Sequence, residues 1–143
     1  MQVASILASK GRNVVTAKPD TSIPEIAQLL KAKKIGAAVV VDAGDHVIGI
    51  ISERDLVHGL ARHGAHLLEM RVGDLMTRDV VTCQTDLDID EVMKEMTNSR
   101  IRHLPVVEGS RLAGIISIGD VVKNRLDELE DEATQLKRYI ATG

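Results

Sequence analysis

Aromatic residues are almost missing from this sequence: its 143 residues include one Tyr and neither Trp nor Phe. Proteins that bind single-stranded nucleic acid stack bases on aromatic side chains, so this composition argues against that class. The formal net charge of −3 also provides no basic field for a nucleic-acid backbone. We therefore expect a core built from Val, Ile, Leu, Met and Ala, and no nucleic-acid partner.

Cysteine and long apolar segments are equally scarce. Cys83 is the single cysteine, which excludes an internal disulfide and a cysteine-based zinc site. The longest purely apolar run covers residues 37–41, far too short to span a bilayer, and no apolar signal segment stands at the N-terminus. Histidines at positions 58, 63 and 66 have no cysteine or paired carboxylate converging on them, so we predict no metal site. These features favour a cytoplasmic protein without membrane contact.

One unit occurs twice in the chain. At a shift of 66 residues, residues 14–16 (Val-Val-Thr) align with residues 80–82. At a shift of 65, residues 49–52 (Gly-Ile-Ile-Ser) align with residues 114–117. The one-residue difference falls between two apolar segments, where a hairpin turn tolerates a change of length. The sequence therefore indicates an internal duplication.

Each unit is predicted to have the order β-α-β-β-α. A short β-branched segment precedes a helix whose apolar residues recur at i, i+3, i+4 and i+7, as in residues 23–30. Two apolar strands separated by a turn follow, and a second helix begins after Ser52 or its counterpart Ser117. The predicted fold class is α/β (α+β), with two tandem repeats packed through their sheets by pseudo-twofold symmetry and with the helices outside.

These patterns divide the chain into three parts. Segments 3–7 and 72–76 are equivalent helical lead-ins to the two units, and residues 58–71 are predicted to form a polar linker. The tail has an apolar heptad stripe, which consists of Val122, Leu126, Leu129, Ala133, Leu136 and Ile140. The predicted boundaries are residues 1–68 for the first repeat with its lead-in, 69–125 for the second repeat, and 126–143 for a C-terminal amphipathic helix.

A Gly-x-x-Ser-x-x-Asp motif joins the last strand of each unit to the next helix; it contains Ser52 and Asp55 in the first unit and Ser117 and Asp120 in the second. In one interpretation the serine caps the helix and the acid completes a capping box. In the other, the helix N-terminus and the hydroxyl bind a phosphate, and the carboxylate accepts ribose hydroxyls. Both can hold at once, because capping and ligand binding use the same helix end.

Together with residues 102–106 (Arg-His-Leu-Pro-Val), the duplicated motif resembles the CBS domain family, named after cystathionine β-synthase. The resemblance covers about residues 13–124. It implies a pair of CBS repeats (a Bateman module), and many such pairs bind AMP, ATP, NAD or S-adenosylmethionine in clefts between the repeats. It also implies a sensor and not an enzyme, and the sequence has no nucleophile elbow, Walker or Gly-x-Gly-x-x-Gly motif.

The resemblance implies one ligand cleft at each motif, with the adenine against strand edges of the facing unit. The implied contacts are Asn13, Val15, Ile35, Gly36 and Ala37 with His103, Ile115, Ser117 and Asp120 in one cleft, and Ser52, Arg54, Asp55, Asp79, Val81, Ile101 and Arg102, again with His103, in the other.

The two implied clefts differ in charge. Residues 102–103 are Arg-His, whereas the equivalent residues 36–37 are Gly-Ala. We therefore expect His103 to strengthen the cleft of the second motif, with Arg12 or Lys34 as further phosphate contacts. The cleft of the first motif is expected to be the weaker one.

The leading interpretation is a regulatory module that binds an adenine nucleotide and acts in trans on a protein partner. AMP is the favoured ligand, and NAD or ATP are alternatives. The alternative function is an oligomerisation or interaction module whose clefts are vestigial. The heptad stripe of the tail favours a homodimer; its other interpretation is a helix that packs back on its own domain.

Overall fold

The computed structural model describes residues 1–142, and its elements follow the duplication. The first half contains α1 (Val3–Lys10), β1 (Thr16–Ala17), α2 (Ile23–Lys33), β2 (Ala37–Val41), β3 (Val47–Ser52), α3 (Glu53–His63) and a 3-10 helix (Gly64–Glu69). The second half contains α4 (Val72–Leu75), β4 (Cys83–Gln84), α5 (Ile89–Ser99), β5 (His103–Glu108), β6 (Arg111–Ser117) and α6 (Ile118–Thr142). The order from β1 to α3 is thus repeated from β4 to α6.

The strands form two three-stranded sheets of the same topology, β1-β2-β3 and β4-β5-β6. In each sheet the short first strand pairs parallel with the middle strand, which pairs antiparallel with the last strand. Both middle strands have a register irregularity at the same place, between Val40 and Val41 and between Val106 and Val107. The predicted α+β class and the duplication are therefore confirmed.

Helices α2 and α5 have equivalent ends. Ser22 caps α2 by accepting a hydrogen bond from the Glu25 N–H, and Asp88 caps α5. Both helices end at a left-handed residue, Lys34 with φ 56° and Arg100 with φ 54°. This conformation is unfavourable by roughly 1–2 kcal/mol for a residue with a Cβ atom. The basic residues at these two positions therefore lower the stability of the fold.

Each lead-in helix packs on the opposite repeat. Val3, Ile6 and Leu7 of α1 are buried in the core of the second repeat. Val72 of α4 and Met76, which follows it, are buried in the core of the first repeat. The two repeats are therefore joined by an exchange of their lead-in segments, which the sequence analysis did not predict.

The glycine of each Gly-x-x-Ser-x-x-Asp motif makes room for this exchange. A Cβ atom at Gly114 would lie 2.6 Å from Leu7 Cδ2, and one at Gly49 would lie 2.6 Å from Met76 Sδ. These distances are far inside van der Waals contact in a close-packed interior. A larger residue at either position would therefore force the Leu7 or Met76 side chain to shift away from β6 or β3.

The middle strand of the first sheet is buried on both faces. Ala38 and Val40 belong to the core of the first repeat, and Val39 on the opposite face is also fully buried. The Leu112 N–H donates to the Asp45 carbonyl oxygen (3.2 Å), which links β6 to the turn between β2 and β3. The sheets thus form the centre of the molecule, as predicted.

Helices α3 and α6 lie outside this centre. Gly59 is the buried residue of α3, and Val121 is the buried residue of α6. Among residues 1–142, no helix combines the length and the apolar character needed to cross a membrane.

Two segments differ from the prediction. Residues 58–71 are not a polar linker, because α3 continues into them, a 3-10 helix follows, and Leu67 is buried in the first core. Leu67, together with the partly buried Met70, packs this segment against the first core, although its composition is polar. The tail is not a separate element, since α6 runs from Ile118 to Thr142 without a break. Gly143, the last residue of the predicted tail, lies outside the described residues.

Candidate functional site

Both Gly-x-x-Ser-x-x-Asp motifs form the predicted capping box. The Ser52 N–H donates to Asp55 Oδ2 (2.8 Å), and the Asp55 N–H donates to Ser52 Oγ (3.3 Å). The Ser117 N–H donates to Asp120 Oδ2 (2.8 Å), and the Asp120 N–H donates to Ser117 Oγ (3.2 Å). Both aspartates use Oδ2 in the cap, so Oδ1 is left for another partner.

A cavity of about 400 Å³ lies between the two repeats at the first motif, and we call it the first cleft. Small-molecule sites have volumes of roughly 300–1,000 Å³. The end of β3 and the start of α3 form one wall, and the segment between α5 and β5 forms the other. The lining residues are Gly36, Ala37, Ile50, Ser52, Glu53, Arg54, Asp55, Thr77, Arg100, Ile101, Arg102 and His103.

Three arginines give the first cleft a positive rim. Arg54, Arg100 and Arg102 line it, and none of them forms an ion pair within residues 1–142. An adjoining cavity of about 340 Å³ is lined by the same three arginines. Glu53 and Asp55 are the acids of the first cleft. Unpaired guanidinium groups favour the binding of an oxyanion such as a phosphate, because one arginine can donate two parallel N–H bonds to two of its oxygens.

His103 lies within electrostatic reach of both motifs. Its Cε1 atom is 3.4 Å from the position that a Cβ atom would take on Gly36. Burial lowers the pKa of His103 and the charge of Lys10 lowers it further, while Asp120 and Glu53 act in the opposite direction. The net effect favours the neutral imidazole.

A lysine occupies the second motif. Lys10 Nζ donates to Asp120 Oδ2 (2.6 Å) and to the Ile115 carbonyl oxygen (2.9 Å). Burial by itself would raise the pKa of Asp120, but the hydrogen bonds from Lys10 and Ser117 and the lysine charge outweigh it, so this pKa is lowered. We call the site formed by Ile115, Ser117 and Asp120 the second cleft.

The first motif has a threonine in place of this lysine. The Thr77 N–H donates to the carbonyl oxygen of Ile50 (2.9 Å), the counterpart of Ile115. Thr77 Oγ1 lies 3.4 Å from Asp55 Oδ1, a long distance for an O–H donor. Asp55 therefore has no cationic partner among the residues that the structure describes.

Half of the predicted site residues come together at the first cleft, namely Gly36, Ala37, Ser52, Arg54, Asp55, Ile101, Arg102 and His103. Ile115, Ser117 and Asp120 meet at the second cleft with Lys10. Asn13 and Asp79 do not line the first cleft. Val15 and Ile35 pack against the first core, and Val81 packs against the second.

Several assignments need correction. The sequence-based prediction placed Gly36 and Ala37 at the second motif, but both line the first cleft. The reason is that β5 begins beside the start of β2, so the first residues of both strands face the same cavity. The prediction placed His103 in both clefts and expected it to be the cation of the second; His103 lines the first cleft and lies opposite Ser117 in the β5-β6 pair, but burial lowers its pKa and so disfavours the charged form. Arg12, a predicted phosphate contact, instead pairs with Glu108 at 2.6 Å.

Three residues that the sequence analysis missed are Lys10, Thr77 and Arg100. A signal existed for Arg100, because it stands 66 residues after Lys34, a residue that the prediction did name. Lys10 and Thr77 lie at the ends of the exchanged lead-in segments. No motif in the sequence indicates that these segments cross to the opposite repeat.

Comparison with known proteins agrees with this architecture. The CBS domain family model matches residues 3–62 and 72–127, which include the sheets and helices of both repeats. The chain belongs to the CBS domain family. It is similar to the CBS-domain containing protein ATU1752 from Agrobacterium tumefaciens, with 54% identity and a TM-score of 0.84 over 87% of this chain and 99% of that one.

Two other CBS proteins are similar over most of their length. The mitochondrial CBS domain-containing protein CBSX3 of Arabidopsis thaliana is 30% identical over 149 residues, which cover 99% of this chain and 72% of that protein. The CBS domain pair of protein MJ0100 is 28% identical with a TM-score of 0.80, over 90% of this chain and 98% of that one. The MJ0100 pair was solved in complex with 5-methylthioadenosine and S-adenosyl-L-methionine.

Proposed function

We propose that this CBS domain pair is a regulatory module that binds an adenine nucleotide in the first cleft and acts in trans on a protein partner. The observation that supports this most strongly is a cavity of about 400 Å³ with three arginines that lack a carboxylate partner within residues 1–142. Like charges in one cavity repel each other. A bound anion relieves this repulsion, so phosphate binding is favoured.

Each part of a nucleotide has a complementary group in the first cleft. Asp55 is in position to accept ribose hydroxyls, because its Oδ1 atom has only the long contact with Thr77. Arg54 and Arg102, together with the N-terminus of α3, are the groups for the phosphate. The aliphatic side chain of Ile101 lines the same cavity and offers an apolar surface for the adenine, so no aromatic residue is required.

AMP is the ligand that we favour, with ATP and NAD as alternatives. The complex of the MJ0100 pair with adenosine compounds supports the adenosine moiety, and the arginines support a phosphate. The adjoining cavity of about 340 Å³ has the same arginines, which keeps ligands with more than one phosphate among the candidates. This assignment reverses the ranking expected from the sequence, in which the second motif was the stronger site.

Isothermal titration calorimetry of the intact protein with AMP, ATP and NAD tests the proposal. We expect saturable binding of at least one of them, and weaker binding of GMP, which has a different base. Arg54→Gln should weaken AMP binding about tenfold or more, since a charge-assisted hydrogen bond contributes roughly 1.5–3 kcal/mol. Arg62→Gln, on the same helix and outside the cleft, is the matched control. Absence of both heat and a melting shift with all three nucleotides would favour the vestigial-cleft alternative.

The exposed apolar stripe of α6 supports a second proposal, that the module is a homodimer. Leu129, Leu136 and Ile140 are between 46% and 70% exposed. Val57 and Leu60 are exposed on α3, the outer helix of the first repeat. Because the stripe is exposed in the single chain, packing of the tail on its own domain does not account for it. Burial against a second copy removes this apolar surface from water.

Multi-angle light scattering measures this assembly. We expect twice the chain mass at micromolar concentration, and a shift toward the monomer in Leu136→Lys, which places a charge in the stripe. Gln135→Lys adds the same charge beside the stripe and should leave the dimer intact. A monomeric wild-type protein would contradict the proposal.

A further inference from the structure

The position of Lys10 is fixed by the packing of its helix. Val3 and Leu7, on earlier turns of α1, are buried in the second core. Leu7 also lies against Gly114 of β6, where a Cβ atom would come within 2.6 Å of Leu7 Cδ2. The helix therefore has little freedom to slide along β6, and Lys10 at its C-terminal end stays within reach of Asp120.

Both bonds of Lys10 Nζ engage groups of the second cleft. The bond to Asp120 Oδ2 is 2.6 Å long, and the bond to the Ile115 carbonyl oxygen is 2.9 Å long. The Lys10 and Asp120 side chains are 32% and 24% exposed, so solvent screens this pair only in part. The carboxylate that corresponds to the proposed ribose acceptor of the first cleft is thus held in an ion pair.

In the first cleft, no cation within residues 1–142 is paired with Asp55. The Thr77 backbone N–H donates a hydrogen bond to the Ile50 carbonyl oxygen. The Thr77 hydroxyl makes only a 3.4 Å contact with Asp55. A ribose hydroxyl that binds Asp55 replaces a weak neutral contact. Lys10 bonds to Oδ2 of Asp120, so a ribose whose two hydroxyls use both carboxylate oxygens must compete with the ammonium group at Oδ2. Charge-assisted hydrogen bonds are about twice as strong as neutral ones.

We infer that Lys10 is an intramolecular latch on the second cleft, which keeps Asp120 from a nucleotide and limits the chain to one occupied cleft. This inference rests on the proposed function, because it concerns which CBS cleft a nucleotide fills. A change that moves α1 away from β6 would release the latch and open the second cleft.

Titration calorimetry with AMP tests the latch through the number of binding sites. We expect one site per wild-type chain and two in Lys10→Met, in which a side chain of similar length lacks the charge. Lys123→Met removes a lysine from α6 near Asp120 that forms no ion pair within residues 1–142, and it should keep one site. One site in Lys10→Met overturns the inference. Two sites in the wild type, with one lost in Lys10→Met, would show that Lys10 binds phosphate and would also overturn it.

A second readout does not depend on nucleotide binding. The pKa of the Asp120 carboxyl, followed by NMR, should rise in Lys10→Met and stay unchanged in Lys123→Met, because the lysine contributes to its lowered value. If no nucleotide binds to any variant, the proposed function fails and this titration decides the latch alone. An unchanged Asp120 pKa in Lys10→Met overturns the latch whether or not nucleotides bind.

Discussion

The two clefts share one motif but differ in what faces it. Both have a serine and an aspartate in a capping box at the end of a strand. Thr77 stands beside the first aspartate as a neutral donor, and Lys10 stands beside the second as a cation. Three arginines line the first cleft without carboxylate partners in the described chain.

This difference shows that the motif alone does not determine which cleft accepts a ligand. The motif fixes a helix start and a carboxylate, and these are the same in both repeats. The lead-in segments, which cross from one repeat to the other, determine the charge beside that carboxylate. Duplicated sites can therefore differ in function through residues that lie outside the duplicated motif.

The largest expected effect on stability comes from a substitution of Gly114, the glycine of β6 that α1 packs against. Gly114→Ala places a Cβ atom 2.6 Å from Leu7 Cδ2, and Leu7 is fully buried. We expect a loss of about 1–3 kcal/mol in the free energy of unfolding, the usual cost of overpacking. Urea denaturation followed by circular dichroism measures it.

Gly119→Ala is the matched control for this substitution. Gly119 lies in the first turn of α6, and the nearest atom to its Cβ position is Ser117 Oγ at 3.6 Å, an ordinary contact. Alanine should stabilise the helix there by about 0.5–1 kcal/mol. Equal destabilisation by both substitutions would show that the close approach of α1 to β6 is not the cause.

The left-handed residues provide a sharper comparison of binding and stability. Arg100→Gly relieves the strain at φ 54° while it removes a cation from the first cleft, so AMP affinity should fall severalfold without a loss of stability. Lys34→Gly relieves the same strain at φ 56°, and it should leave the affinity unchanged. Either variant should gain up to about 1 kcal/mol in stability. Calorimetry and urea denaturation of both variants give the two quantities, and equal affinity losses would contradict the role of Arg100.

The smallest effect concerns pH. The pKa of His103 is lower in the folded protein than in the unfolded chain, chiefly because the side chain is buried. Between these two pKa values the unfolded chain binds more protons, so stability falls as the pH decreases below about 6.5. His103→Gln should reduce this loss between pH 7.5 and 5.5, which urea denaturation at several pH values measures. An unchanged pH dependence in His103→Gln would contradict the assigned pKa direction.

Much of the fold could be predicted from the sequence, because the repeat and its hydrophobic periods are local signals. The capping boxes of Ser52 and Ser117 followed from the spacing of serine and aspartate in the same way. The exchange of α1 and α4 could not be predicted, since it depends on contacts between segments far apart in the chain. The burial that disfavours the charge expected on His103 could not be predicted for the same reason: the cavity beside it is formed with the other repeat.

The most direct test compares Asp55→Asn with Asp120→Asn by AMP titration calorimetry. Asparagine keeps an acceptor oxygen for the helix cap but loses the carboxylate charge. We predict that Asp55→Asn weakens AMP binding about tenfold to a hundredfold, since each 1.4 kcal/mol corresponds to a factor of ten. Asp120→Asn should leave the affinity of the first cleft nearly unchanged. A larger loss in Asp120→Asn would show that the nucleotide binds at the second cleft and would contradict the assignment.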